Sequence, residues 1–90
     1  MNVLLKNSPF TIIDVSTPEE FAQGHVPGAL NIPLDEILKW VKELREMPRP
    51  IIAYCRSGNR SNTAISLLKQ QGVDEVYNGG GLYDMLRSAQ

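Results

Sequence analysis

The fold of this chain is decided by the stretch IIAYCRSGNRS, residues 51–61. Its first four residues are apolar or aromatic, which predicts a buried strand over Ile51–Tyr54. Small and polar residues follow, and apolar side chains then recur at helical spacing, so a helix is expected to begin at Arg60 or Ser61. The stretch therefore predicts a strand, a tight turn and a helix in direct succession, with Cys55 on the turn.

The residues before this stretch predict a further strand and a short helix. Residues 11–15 are rich in β-branched side chains, as buried strands are. Thr17, Pro18 and Glu20 suit the N-cap, first and third positions of a helix. Gly24 is expected to end that helix, because glycine is common just after a helix.

A second short strand is expected over residues 29–32, followed by a longer helix that Pro33 or Leu34 opens. Apolar residues recur in this helix at spacings of three and four, which gives one apolar stripe for the core. Trp40 lies off the stripe and is expected to flank the core or to be partly exposed. The run MPRP, residues 47–50, ends the helix. The stripe consists of Leu34, Ile37, Leu38, Val41 and Leu44.

The last third of the chain adds a short strand within residues 73–77, a turn and a final helix. The turn is expected at NGGG, residues 78–81, whose glycines supply a permissive backbone. The apolar side chains of residues 82–86 mark the helix. Strands that alternate with helices predict an α/β fold, with a parallel central sheet and helices on both of its faces. One such domain is expected to occupy residues 1–90.

The composition is that of a soluble globular domain in which any charged site is local. The net charge is −1, hydrophobic residues make up 42% and charged residues 21%. This balance argues against a nucleic-acid or membrane footprint over the whole surface. The single cysteine excludes an internal disulfide and a metal site of several thiolates, and it fits a reducing compartment. No apolar stretch reaches membrane-spanning length and the first residues are too polar for a secretory signal, so a cytoplasmic protein is expected.

Cys55 is the candidate nucleophile, because its surroundings favour the reactive thiolate. Backbone N–H groups are expected to gather in the turn, at the positive end of the following helix. Two arginines add positive charge, and a glycine permits tight curvature. Such settings lower cysteine pKa values to about 3.5–7.5. The predicted site is an anion-binding loop with the thiol at its floor, and its substrate-binding residues are Arg56, Ser57, Gly58, Asn59, Arg60 and Ser61.

Asp14 is the candidate supporting residue. It lies at the end of the first predicted strand, and the carboxyl ends of parallel strands form the edge where sites of such folds lie. There its carboxylate would either fix the loop by hydrogen bonds or cap the next turn. His25 and the glycines 79–81 are given structural roles, because a ready thiolate needs no base and these glycines lack the lysine and spacing of a phosphate loop.

The length of the loop separates the reactions open to a cysteine nucleophile in an anion site. Four residues lie between Cys55 and Arg60, whereas cysteine phosphatases that cradle a whole phosphate use one more. At that longer spacing this chain has Ser61. The shorter loop favours transfer of a single sulfur atom. A small phosphatase or arsenate reductase is the disfavoured enzymatic alternative, and a non-catalytic persulfide carrier or protein-interaction module is the other.

Together these motifs resemble the rhodanese family of single-domain sulfurtransferases. The similarity runs from about Thr11 to the C-terminus. Two positions depart from the family pattern, because Ser16 stands where an arginine is frequent and Met85 where a tryptophan is frequent. Met85 is expected to be part of the core. The matching blocks are IDV (13–15), PEEF (18–21), GHVPGA (24–29), NIP (31–33), YCRSGNRS (54–61) and Asn78 with Gly80 and Gly81.

The resemblance implies an α/β fold around a parallel sheet and a thiosulfate sulfurtransferase that needs neither metal nor cofactor. Cys55 would take a sulfane sulfur from a small anionic donor such as thiosulfate, releasing sulfite and carrying a persulfide. A thiophilic acceptor would then remove the sulfur, either cyanide in the test tube or a thiol or protein in the cell. The amides from Arg56 to Arg60 would stabilise the persulfide, while both arginine side chains would recruit the donor.

Overall fold

A sheet of four parallel strands forms the centre of the molecule. The computed structural model describes residues 10–88. The strands lie in the order β2-β1-β3-β4 and each is parallel to its neighbours, which confirms the predicted α/β fold. Their bounds are β1 (Thr11–Asp14), β2 (Leu30–Asn31), β3 (Ile51–Cys55) and β4 (Val76–Gly81).

Helical segments connect the strands and follow the last one. In chain order they are α1 (Pro18–Gln23), a 3₁₀ helix (Leu34–Trp40), α2 (Val41–Arg45), α3 (Asn59–Gln70) and α4 (Leu82–Ser88). Met85 of α4 packs against the core and is partly buried, as expected. Among the helices of residues 10–88, none is long and apolar enough to cross a membrane.

The predicted cap of α1 is confirmed. The Glu20 N–H donates to Thr17 Oγ1 at 3.2 Å, and the Thr17 N–H donates back to Glu20 Oε1 at 2.9 Å. These two bonds form a capping box that starts the helix beside the end of β1. Gly24 ends the helix, and its N–H donates to the Phe21 carbonyl.

The sheet is covered on both faces, as predicted. On one face, Ile13 and Ala53 pack in a core with residues of the 3₁₀ helix, α2 and α3. On the other face, Ile12 and Tyr54 pack with Val26 and with residues of α4. Alternate residues of β1 and β3 therefore belong to opposite layers, as the pleat of a strand requires.

The longer helix expected after the second strand differs in form, because its first half is a 3₁₀ helix. With three residues per turn, side chains three apart lie above one another. Leu34, Ile37 and Trp40 therefore pack on the core, with Ile37 fully buried. Leu38, which the apolar stripe placed in the core, is 52% exposed.

The glycine run predicted to be a turn belongs to β4 instead. Asn78 pairs with Ala53 and Gly80 pairs with Tyr54, so Gly79 is an extra residue that forms a bulge. Gly80 has a φ of 88°, which glycine adopts without strain. The turn prediction was wrong because glycine is depleted in strands, whereas here a Cβ at any of residues 79–81 would collide with a neighbouring atom of α4 or of the Cys55 loop.

Candidate active site

Three parallel strands end at one edge of the sheet, and the Cys55 loop begins there. Asp14 of β1 pairs with Tyr54 of β3, and Cys55 pairs with Gly81 of β4. Residues 56–58 then lead into α3. The topology therefore brings Asp14 and Cys55 to the same edge, where the sequence placed them.

The loop curls around the sulfur of Cys55. The Gly58 N–H donates to Sγ at 3.0 Å, and the Ser61 hydroxyl oxygen lies 3.6 Å from Sγ. The curl depends on Gly58, whose φ of 92° lies in the left-handed region. A Cβ at this position would lie 3.3 Å from the Gly80 Cα, so the loop also packs closely on β4.

The pKa of the Cys55 thiol is lowered from 9.0 to about 7. Burial acts to raise it, but hydrogen bonds to the sulfur outweigh burial. The donors are the backbone and hydroxyl of Ser61 and the backbone N–H groups of Ser57 and Gly58. A large fraction of the sulfur is therefore thiolate near neutral pH, and hydrogen bonds rather than arginine charges are the main reason.

Asn78, which the sequence predicted to lie in a turn, is a residue of this site. Its Nδ2 donates to the Gly58 carbonyl at 3.0 Å, and its Oδ1 accepts from the Gly80 N–H at 2.8 Å. The Ser61 hydroxyl oxygen lies 2.6 Å from the same Oδ1, which therefore competes with the Cys55 Sγ for its single proton. Asn78 thus holds the Cys55 loop, the start of α3 and β4 together. The sequence offered one indication of this role, namely an amide side chain that lies between a strand-like segment and several glycines.

The Arg56 side chain connects the loop to α1. Its Nη1 donates to Asp14 Oδ2 at 3.3 Å, and its Nη2 donates to the carbonyls of Glu20 and Gly24 at 2.6 and 2.9 Å. Asp14 is fully buried, and its Oδ1 accepts from the Ser16 N–H at 2.9 Å. Asp14 therefore makes both of the contacts considered for it: Oδ2 bonds to Arg56 of the loop, and Oδ1 caps the turn that follows β1. The Arg56 guanidinium, predicted to recruit a donor, is directed at α1 and Asp14 instead.

Arg60 forms a two-point ion pair with Glu20. Its Nη1 and Nη2 donate to Glu20 Oε1 and Oε2 at 2.7 and 3.0 Å. The Arg60 guanidinium and the Thr17 N–H lower the pKa of Glu20 from 4.5 to about 2. Sequence reasoning gave Glu20 only a capping role, because nothing local to residue 20 reveals a partner forty positions away.

The sulfur is covered in this structure, which corrects the expectation of a thiol lying open at the floor of a pocket. Cys55 has no exposed surface, and Gly58 and Ser61 are buried with it. The Gly58 N–H already contacts Sγ, so the ring of amides closes on the thiolate itself. A donor can reach Sγ only after the loop moves outward.

Ser57 and Asn59 lie on the outside of the loop. Both are exposed, and the Asn59 N–H donates to Ser57 Oγ at 3.5 Å. Of these two predicted substrate-binding residues, Ser57 contributes its backbone N–H to the sulfur, whereas the Asn59 N–H is bonded to Ser57. Within residues 10–88, no group of three or more His, Cys, Asp and Glu side chains is arranged to hold a metal ion.

His25 lies outside the Cys55 loop. Its ring stacks on Phe21 with the centroids 3.6 Å apart, and its Nδ1 is 2.8 Å from the Phe21 carbonyl oxygen. The side chain therefore packs on the end of α1. This placement agrees with the structural role predicted for it.

Comparison with known proteins relates the chain to one family. A family model described as a rhodanese-like domain matches residues 2–85. The thiosulfate sulfurtransferase PspE of Escherichia coli (strain K12) is 38% identical over 74 residues, which are 81% of this chain and 71% of PspE. Two proteins of Bacillus subtilis (strain 168) match over 67 residues, or 74% of this chain: the uncharacterized protein YqhL at 40% identity and the putative sulfur carrier protein YrkF at 42%. The chain spans 52% of YqhL and 36% of YrkF.

The fold has a counterpart among solved structures. A structure described as "rhodanese with anions from E. coli" superposes with a TM-score of 0.75 at 36% sequence identity. The match covers 83% of this chain and 89% of the other. The likeness therefore extends over most of both molecules.

Proposed function

This chain belongs to the rhodanese-like family of single-domain sulfurtransferases, and from that premise we propose that it transfers a sulfane sulfur through a persulfide on Cys55. The donor is thiosulfate or a similar small anion, and the acceptor is a thiol, a protein or, in an assay, cyanide. The lone cysteine fits a reducing compartment, so we place this activity in the cytoplasm.

One observation carries the proposal: the sulfur of Cys55 accepts a 3.0 Å hydrogen bond from the Gly58 N–H at the start of α3. Together with the other donors around it, this bond lowers the pKa of the thiol to about 7. The thiolate is the nucleophile in sulfur transfer. The same donors are placed to stabilise the negative charge of a persulfide.

The reaction has two displacement steps. In the first, the Cys55 thiolate attacks the outer sulfur of thiosulfate, a new S–S bond forms, and the old S–S bond breaks with its electron pair leaving on sulfite. In the second, an acceptor thiolate attacks the outer sulfur of the Cys55 persulfide, and the Cys55 thiolate leaves. No external oxidant or reductant is consumed. Because Sγ is covered, the loop must open by the space of one sulfur atom in the first step.

Intact-mass measurement after mixing the protein with thiosulfate tests this proposal. We expect a gain of one sulfur atom, removed again by cyanide or a reducing thiol. Cys55→Ser should gain nothing while retaining the circular dichroism of the folded protein. The exposed serine of the same loop provides a matched control, and Ser57→Ala should load sulfur. Loading of Cys55→Ser, or hydrolysis of an aryl phosphate that requires Cys55, would contradict the proposal.

A non-catalytic persulfide carrier is the second candidate function. Two observations favour it: the covered sulfur of Cys55, and the engagement of both loop arginines by groups of the protein itself. The similarity to the putative sulfur carrier YrkF agrees with it. A carrier would accept sulfur from a persulfide donor yet turn over thiosulfate and cyanide negligibly. Steady-state thiocyanate formation therefore separates the two functions.

A further inference from the structure

The charged side chains around the Cys55 loop cancel one another. Arg56 faces Asp14 at 3.3 Å, and Arg60 faces Glu20 at 2.7 Å. The thiolate of Cys55 adds one negative charge. Among residues 10–88, these contacts leave the site with no positive charge in excess, although its proposed substrate is an anion.

Arg60 is the more accessible of the two arginines, with a side chain that is 35% exposed against 25% for Arg56. The Arg56 guanidinium has three acceptors within the protein, and its partner Asp14 has no exposed side-chain surface. The side chains of Arg60 and Glu20 are 35% and 32% exposed. The guanidinium of Arg60 can bind two oxygens of a sulfonate as well as those of a carboxylate. Its Nη1 and Nη2 groups, however, already donate to Glu20.

We propose that Glu20 determines the donor specificity of this site, by masking Arg60 and thereby favouring sulfane-sulfur donors with one negative charge over doubly charged donors such as thiosulfate. The proposal rests on the proposed function and deepens it. The repulsion between the Glu20 carboxylate and a donor is proportional to the donor charge, so it is twice as large for a dianion as for a monoanion. Specificity then arises from a repulsive element as well as from attraction.

Two donors of nearly equal shape provide the test. Thiosulfate carries two negative charges, and the methanethiosulfonate anion carries one, because a methyl group replaces one oxygen. With methanethiosulfonate, the Cys55 thiolate attacks the outer sulfur, the S–S bond of the donor breaks and methanesulfinate leaves with the electron pair. Both donors thus leave the same persulfide on Cys55.

Glu20→Gln removes the charge and retains an oxygen that can accept the capping bond from Thr17. We expect the KM for thiosulfate to fall about tenfold and the KM for methanethiosulfonate to fall about threefold, the square root of the first change, with kcat nearly constant. Glu19→Gln is the matched control, because Glu19 is an exposed carboxylate in the same first turn of α1. It should change either KM by less than about twofold.

Equal falls for the two donors would overturn the proposal, since they would mean that the ion pair merely holds the loop closed. An unchanged KM for thiosulfate in Glu20→Gln would overturn it too. In that case the proposed function would still stand, provided that the wild-type protein loads sulfur. Failure of the wild type to load from either donor contradicts the proposed function and the specificity with it. If Glu20→Gln does not fold, the dependence of the wild-type kcat/KM on ionic strength tests the proposal instead. The wild-type kcat/KM for thiosulfate should not fall as salt is added, and a steep fall would reveal an unmasked cation and overturn the proposal.

Discussion

The reactivity of Cys55 depends on which hydrogen bonds reach its sulfur. Its fully buried position alone would raise the pKa of the thiol, as burial does for any group whose charged form loses water. Hydrogen bonds to the sulfur from Ser57, Gly58 and Ser61 outweigh that effect and lower the pKa to about 7. Sulfur loading should therefore rise with pH through this value, because the thiolate fraction rises.

Removing the hydroxyl of Ser61 tests this account. Ser61→Ala should raise the pKa of Cys55 by about one unit, since the thiolate loses a donor and the thiol does not. Titration of the ultraviolet absorbance of the thiolate measures the shift. Ser66→Ala is the control, because Ser66 is an exposed residue of the same helix. A titration midpoint that is the same in wild type and Ser61→Ala would show that the hydroxyl does not act on the sulfur.

Strand β4 controls the shape of the Cys55 loop through its glycines. A Cβ at Gly81 would collide with the Arg56 carbonyl, which belongs to the backbone and cannot rotate away. The strand therefore approaches the loop as closely as it does only because residue 81 has no side chain. This close approach also explains why a strand runs through a sequence that is typical of a turn.

Gly81→Ala should displace the loop. We expect it to lower the free energy of unfolding by about 2–3 kcal/mol and to abolish most sulfur loading, because the collision involves backbone on both sides. Urea unfolding and intact-mass loading measure the two effects. Gly28→Ala separates collision from backbone strain: Gly28 has a φ of 87°, and a Cβ there meets no atom within 4 Å. It should lower stability by about 1 kcal/mol and leave loading unchanged. Equal effects of the two substitutions would contradict this account.

Arg56 ties together parts of the molecule that are far apart in the sequence. Its guanidinium joins the end of β1, the end of α1 and the Cys55 loop, over sequence separations of 42, 32 and 36 residues to Asp14, Gly24 and Glu20. Asp14 is fully buried, so its carboxylate has this contact and the Ser16 N–H as its hydrogen-bond donors in place of water. The pair stabilises the closed arrangement of the whole site edge.

Breaking this pair should weaken the whole fold. Arg56→Gln should lower the free energy of unfolding by about 2–4 kcal/mol, because it leaves a buried carboxylate without its cation. Adding Asp14→Asn should recover part of the loss, and a double-mutant cycle in urea measures the coupling. Arg87→Gln breaks the exposed pair with Asp84 and should change stability by less than about 0.5 kcal/mol. A coupling energy of zero between residues 14 and 56 would contradict a stabilising role of the pair.

The sequence by itself determined the parts that depend on near neighbours. The strand before Cys55, the helix after it and the capping box of Thr17 and Glu20 follow from residue types a few positions apart, because backbone conformation and capping bonds are local. The alternation of strands and helices also sufficed for the parallel sheet. The tight turn at Gly58 could also be predicted from the sequence, since it needs only a glycine at one position.

The tertiary structure alone decided how these parts meet. It paired Arg60 with Glu20, held the loop with Asn78, extended β4 through the glycines and covered the sulfur of Cys55. Such contacts join segments that are 20 or 40 residues apart. Their formation depends on the packing of the sheet edge, which no local pattern encodes. For that reason the sequence predicted a candidate nucleophile, whereas the pairing of the charges around it is a property of the folded molecule.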